Sequence, residues 1–181
     1  MPLPVTEVER ELTHTRRVRY EGYKRADGLW DIEAHLTDVK NHDYRLKTGV
    51  RRAGQAIHDM WLRITIDRAF VIRDATASSD TVPYPGGCET IAPAYNALVG
   101  LSLIKDFRRK TRELLGGVRG CTHLTEMLAG LPTAAIQTYA GEVNAQRAED
   151  EKPFQLDQCH ALETSSQTVK QWYPKWHRAK T

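Results

Sequence analysis

Cysteine is scarce in this sequence. Cys88, Cys121 and Cys159 stand far apart in 181 residues, and an odd, scattered set argues against a disulfide framework and for a reducing compartment. Long apolar runs are missing too: none approaches the ~18 residues that a membrane helix requires. The first residues, MPLPVTEVERELTHTRR, lack the apolar core of a signal peptide. A cytoplasmic protein with no membrane partner is the expectation. Repeats and low-complexity stretches are also absent. The net charge is only +3 with His neutral, and the basic residues are scattered as TRRVR, VRR and KDFRRKTR. Aromatic residues do not interleave with them, so no nucleic-acid partner is expected. What is present is the composition of a globular chain, 40% apolar and 27% charged, long enough for one domain over residues 1–181.

Period-2 alternation dominates the first half. HTRRVRYEGYK (14–24) reads as a strand, ADG (26–28) as a turn, and LWDIEAHLTDVK (29–40) as its hairpin partner. In the second of these, Trp30, Ile32, Ala34 and Leu36 share one face, opposite Asp31, Glu33, His35 and Thr37. Residues 41–56 read as a long polar connection. HDMWLRITID then gives the clearest strand signal, with Met60, Leu62, Ile64 and Ile66 on one face, and VIRDATA continues as its partner. After PYPGGC the period changes to that of a helix. ETIAPAYNALVGLSL and IKDFRRKTRELL are predicted helices, and Gly116 and Gly117 stop the second. The following segment, from CTHLTEML onward, is predicted helical with a split at Pro132. Strands first and helices afterwards make an α+β fold: an antiparallel sheet from residues 14–40 and 58–78 packed against helices of the second half. Trp30, Ile32, Leu62, Ile64, Leu98 and Leu124 are the expected core.

The stretch GGVRGCTHLTEML puts Cys121, His123 and Glu126 within six residues, after a glycine-rich turn. A cysteine at a helix start tends toward thiolate, the metal-binding form. Cys88 likewise follows two glycines, Gly86 and Gly87. His58 opens the clearest strand, with its parity on the apolar face. His58, Cys88, Cys121 and His123 are therefore the candidate metal ligands, a donor set that suits divalent iron or zinc. The competing reading is a buried cysteine, a satisfied core histidine and an ordinary helix start. Glu126, Arg119 and Tyr84 are the candidate catalytic residues: Glu126 as the nearest base, Arg119 as a carboxylate binder, and Tyr84 as a core aromatic that could instead line a pocket for a flat ligand. Cys159 and His160 form a further adjacent pair, either of which could close the site, although Cys159 reads first as a small buried hydrophobe.

Two resemblances rest on these motifs. EGYKRADGLWDIEAHLTDVK, IHDMWLRITID, VIRDATA, YPGGCETIAPAYNALVGLSL, GGVRGCTHLTEML and CHALE resemble, in order and over nearly the whole chain, a bacterial domain family of unknown function. Lyases of lignin-aromatic breakdown, which release a hydroxymethyl group as formaldehyde from phenylcoumaran-type dimers, are similar to that family. The order HDMWLRITID, VIRDATA, GGC, GLSL, RGC also resembles the scaffold proteins of iron–sulfur cluster assembly. Cys88 and Cys121 match two scaffold cysteines, and GLSL (100–103) matches the motif between them. The scaffold's first cysteine has no counterpart, since QAIHD contains none.

The first resemblance implies a metal-dependent lyase that cleaves a carbon–carbon bond of a small lignin-derived aromatic compound and releases formaldehyde. The second implies a non-enzymatic zinc or iron–sulfur protein. A small aromatic substrate is the expected partner, and a homodimer is compatible with the sequence.

Overall fold

A computed structural model describes residues 3–146, 148 and 150–179. The chain separates into two compact units, Met1–Thr138 and Tyr139–Thr181.

In the first unit the alternating segments become strands β1 (His14–Lys24), β2 (Trp30–Lys40), β5 (Ala56–Ile66) and β6 (Ile72–Thr81). They form one antiparallel sheet in the order β1-β2-β5-β6. Val18 pairs with Leu36 and Leu36 with Met60, so the apolar parity of each strand falls on a single face. Along β2, every second residue from Trp30 to Asp38 is buried. The opposite face carries Asp31, Glu33, His35, Trp61 and Arg63. The six residues expected in the core are all buried. The fold is thus α+β, with an antiparallel sheet in the first half and helices in the second.

The segment read as a polar connection is structured. It holds a small hairpin of β3 (Tyr44–Leu46) and β4 (Gly49–Arg51). Three-residue strands are too short to show alternation, so periodicity has no purchase there. Thr48 fastens the hairpin by donating from Oγ1 to the Pro83 carbonyl, 2.7 Å away.

Glu89–Leu98 is a 3₁₀ helix rather than the expected α-helix. Pro93 lies in its middle, where its missing N–H and its ring oppose α-helical pairing. This segment packs on β6. Next come α1 (Phe107–Leu115) and, after a short 3₁₀ turn at Gly117–Arg119, α2 (Thr122–Leu128). Helix α2 lies on β2 and β5. The split expected near Pro132 is present: α2 ends at Leu128, and α3 (Leu131–Gln146) takes Pro132 into its first turn, where proline is tolerated.

In the second unit, Ser166 caps α4 (Gln167–Trp172) by accepting the Val169 N–H at 3.1 Å. Short 3₁₀ turns cover His160–Leu162 and Pro174–Trp176. Among the described residues, no helix is long and apolar enough to cross a membrane.

Candidate functional site

The site begins with a carboxylate on the wrong face for its charge. Asp38 continues the buried parity of β2 and is only 3% exposed. A bare carboxylate there would be costly, so its lone pairs must be matched. They are matched four ways. Arg16, opposite it on β1, donates from Nε to Oδ1 and from Nη2 to Oδ2, both at 2.8 Å. His14 Nε2 lies 2.8 Å from Oδ1, and His58 Nδ1 lies 3.0 Å from Oδ2. Adjacent strands bring all of these groups together at one end of the sheet.

Helix α2 supplies the remaining imidazole. His123 Nε2 is 3.8 Å from Asp38 Oδ2, and the His58 and His123 rings lie 3.8 Å apart between centroids. The donor atoms of Asp38, His58 and His123 all lie within 4.8 Å of one another, close enough to hold a metal ion. The placement of α2 has a visible cause. Tyr95, fully buried, accepts the Cys121 N–H through its hydroxyl oxygen at 3.1 Å and bonds Thr125 Oγ1 at 2.8 Å. Gly120 completes the approach, since any Cβ there would collide with the Leu115 carbonyl oxygen.

The electrostatics follow from burial and charge. Burial pushes the Asp38 carboxyl up, but the hydrogen bonds from Arg16 and His14, with the neighbouring positive charge, outweigh it and hold the group well below the usual carboxylate range. Burial also pushes His58 down, and the adjacent His123 adds to this against the pull of Asp38. Desolvation and the Arg16 charge lower His123 in the same way. A carboxylate beside two imidazoles held neutral is the protonation state in which these groups bind metals.

A cleft of about 480 Å³ opens over this cluster, within the size range of small-molecule sites. Apolar surface from Leu46, Ile57, Met60 and Pro83 faces it, with Tyr44 and Tyr84 among its walls. Several residues singled out in the sequence meet here. His58, Cys88, Cys121, His123 and Tyr84 all line the cleft, and Cys121 Sγ stands 3.9 Å from His123 Nδ1. Among the described residues, the three-group cluster with metal-binding spacing contains Asp38 and neither thiol.

Glu126 and Arg119 lie elsewhere. Glu126 is about half exposed, faces a neighbouring small hollow and accepts from Arg16 Nη1 at 2.6 Å. It thus meets the site through its hydrogen bond to Arg16 and through its charge, which acts on His123. Arg119 reaches the Arg112 carbonyl at 3.5 Å and does not line the cleft. Cys159 is exposed, and with His160 it belongs to the second unit.

Asp38, Arg16 and His14 escaped the sequence reading. The signal for Asp38 was present: it has the parity of Trp30, Ile32, Ala34 and Leu36, and an acid at a core position of a strand demands a partner.

A family profile described as "Protein of unknown function (DUF2889)" matches residues 14–137. The chain belongs to the DUF2889 family. The match takes in β1 through the first turns of α3, and so every residue of the Asp38 cluster lies within the DUF2889 region. Comparison with curated proteins gives no match, and neither does comparison with solved structures.

Proposed function

We propose that this DUF2889 protein is a metal-dependent lyase that releases formaldehyde from a hydroxymethyl group of a small phenolic compound. The observation that supports it is the meeting of Asp38, His58 and His123 under a half-apolar cleft. Two imidazoles and a carboxylate suit iron(II) or zinc and leave positions open for a substrate oxygen. Arg16 orients the carboxylate from behind, as outer partners of metal ligands do.

A bound ion would lower the pKa of the substrate's primary alcohol. His14, held at Nε2 by Asp38 and facing the cleft, takes the hydroxyl proton in place of Glu126. The substrate's para-phenolate first expels the benzylic aryl ether as a second phenolate, which leaves a quinone methide. The carbon–carbon bond to the hydroxymethyl carbon then breaks and formaldehyde leaves, and the released electron pair forms the double bond to the benzylic carbon as the ring returns to a phenolate. The protons given up by the para-phenol and the primary alcohol end on the two phenolates. No external oxidant or organic cofactor enters the balance. The apolar walls and the two tyrosines suit the aromatic rings.

A second reading is an ion- or cluster-holding protein without turnover. It is favoured by the two thiols, Cys88 and Cys121, on the same cleft. Incubation of the metal-loaded protein with a phenylcoumaran-type dimer separates the readings. The lyase produces formaldehyde and a stilbene in equal amounts, and produces neither when the para-phenol is methylated. Metal with bound sulfide and no formaldehyde would refute the lyase.

A further inference from the structure

The charges of the cleft do not balance. Three lining residues carry full charges: Arg16, Asp38 and Lys40. Arg16 is committed through all three guanidinium nitrogens, two donating to Asp38 and one to Glu126. Asp38 in turn is already paired with Arg16, His14 and His58. Lys40 has no acidic partner among the described residues. It stands two residues beyond Asp38 on the same strand, about 7 Å further along the sheet at the usual strand rise. Its Nζ lies 5.4 Å from the centroid of the Tyr44 ring. Tyr44 and Tyr84 both line the cleft while remaining 38% and 54% exposed. The cleft therefore offers a metal-binding cluster, an aromatic wall and, two residues further along β2, one cation without an acidic partner among the described residues.

We propose that the ligand of this cleft is an aromatic compound bearing an anionic oxygen, a carboxylate or a phenolate, and that Lys40 is the residue that selects it. The inference deepens the lyase reading, since it concerns the substrate of the same site, but it depends on Lys40 rather than on the metal. The ring lies against tyrosine and apolar surface, and the anionic oxygen pairs with the ammonium at the end away from the cluster. A charge-assisted hydrogen bond in a partly desolvated cleft is strong enough to discriminate an acid from its ester. It also gives Lys40 a role that Arg119, outside the cleft, cannot fill.

The test uses the full chain stripped of metal with a chelator, so that a carboxylate cannot bind an ion instead. Calorimetric titrations compare 4-methoxybenzoate, 4-methoxybenzyl alcohol and methyl 4-hydroxybenzoate. The first supplies a carboxylate and the third supplies only a phenol. Wild type should bind either 4-methoxybenzoate, or the phenolate form of the ester above its phenol pKa, at least about tenfold more tightly than the neutral alcohol. The arm that shows this preference identifies the anionic group. Lys40→Met should abolish the preference and leave binding of the alcohol unchanged, whereas Lys40→Arg should retain it. Unchanged alcohol binding also shows that the variant is folded. Equal affinity for all three probes in wild type overturns the proposal, as does a preference that survives Lys40→Met. Failure of the lyase reading would instead appear as absent metal or absent formaldehyde, with the Lys40 preference intact.

Discussion

Asp38 is the residue on which the site turns. It is buried, four groups converge on it, and two histidines from different elements meet beside it. Asp38→Asn keeps the shape but takes from Arg16 its buried carboxylate and leaves it the half-exposed Glu126. It should lower the affinity for zinc or iron by ~10²-fold or more, read by metal titration, and should cost about 3 kcal/mol of stability, read by urea unfolding. Wild-type affinity in that variant would remove Asp38 from the ligand set. The proton acceptor has its own test. His14→Gln should reduce formaldehyde release ~10²-fold with metal content unchanged. Glu126→Gln should reduce it less than about tenfold, because Glu126 hydrogen-bonds Arg16, does not line the cleft and reaches His123 only through its charge. The reverse order of the two effects would restore Glu126 as the base. Cys88 and Cys121 stood out in the sequence because each follows a glycine turn at a helix start, His58 because it lies near the start of the clearest strand, and His123 because it is two residues from Cys121. Lys40 and Arg16 were not, because a basic residue on a strand looks alike whether it faces solvent or a cleft.

At the scale of elements, the site depends on how α2 is seated. Tyr95 from the 3₁₀ segment holds the backbone at Cys121, and Gly120 lets the chain pass the end of α1. Tyr95→Phe leaves the Cys121 N–H without its partner and should cost about 1–3 kcal/mol. Gly120→Ala forces the turn away from Leu115 and should cost a similar amount. Both should also weaken metal binding, since His123 rides on α2. Thermal melts and metal titrations of the two variants check this; a variant destabilised with metal affinity intact would show that His123 does not depend on that seating. The main strands and the sheet's buried face were readable because apolar residues alternate from Trp30 to Leu36 in β2 and from Met60 to Ile66 in β5. The β3–β4 hairpin was not, since its strands are three residues long. The helical type at Glu89–Leu98 depended on how much one proline would tolerate, which spacing alone does not decide.

For the molecule as a whole, the buried cluster makes stability depend on pH. Asp38, His58 and His123 all titrate lower in the folded state than in the unfolded chain. The unfolded chain therefore binds more protons in each window, and stability rises with pH through both. In the metal-free protein the melting temperature should fall as pH drops below ~6.5, when the unfolded chain's histidines take up protons, and again below ~4 as carboxylates do. Asp38→Asn should blunt the second decline. A melting temperature that stays level from pH 7 to pH 5 would contradict the buried, neutral histidines.

The most direct measurement is elemental analysis of anaerobically purified protein, wild type beside the Asp38→Asn and His123→Ala variants, with acid-labile sulfide determined on the same samples. The account predicts close to one iron or zinc per chain in wild type, no sulfide, and little metal in either variant while both remain folded. Wild-type protein without metal after exposure to iron(II) and zinc, or variants that retain the full complement, would contradict it.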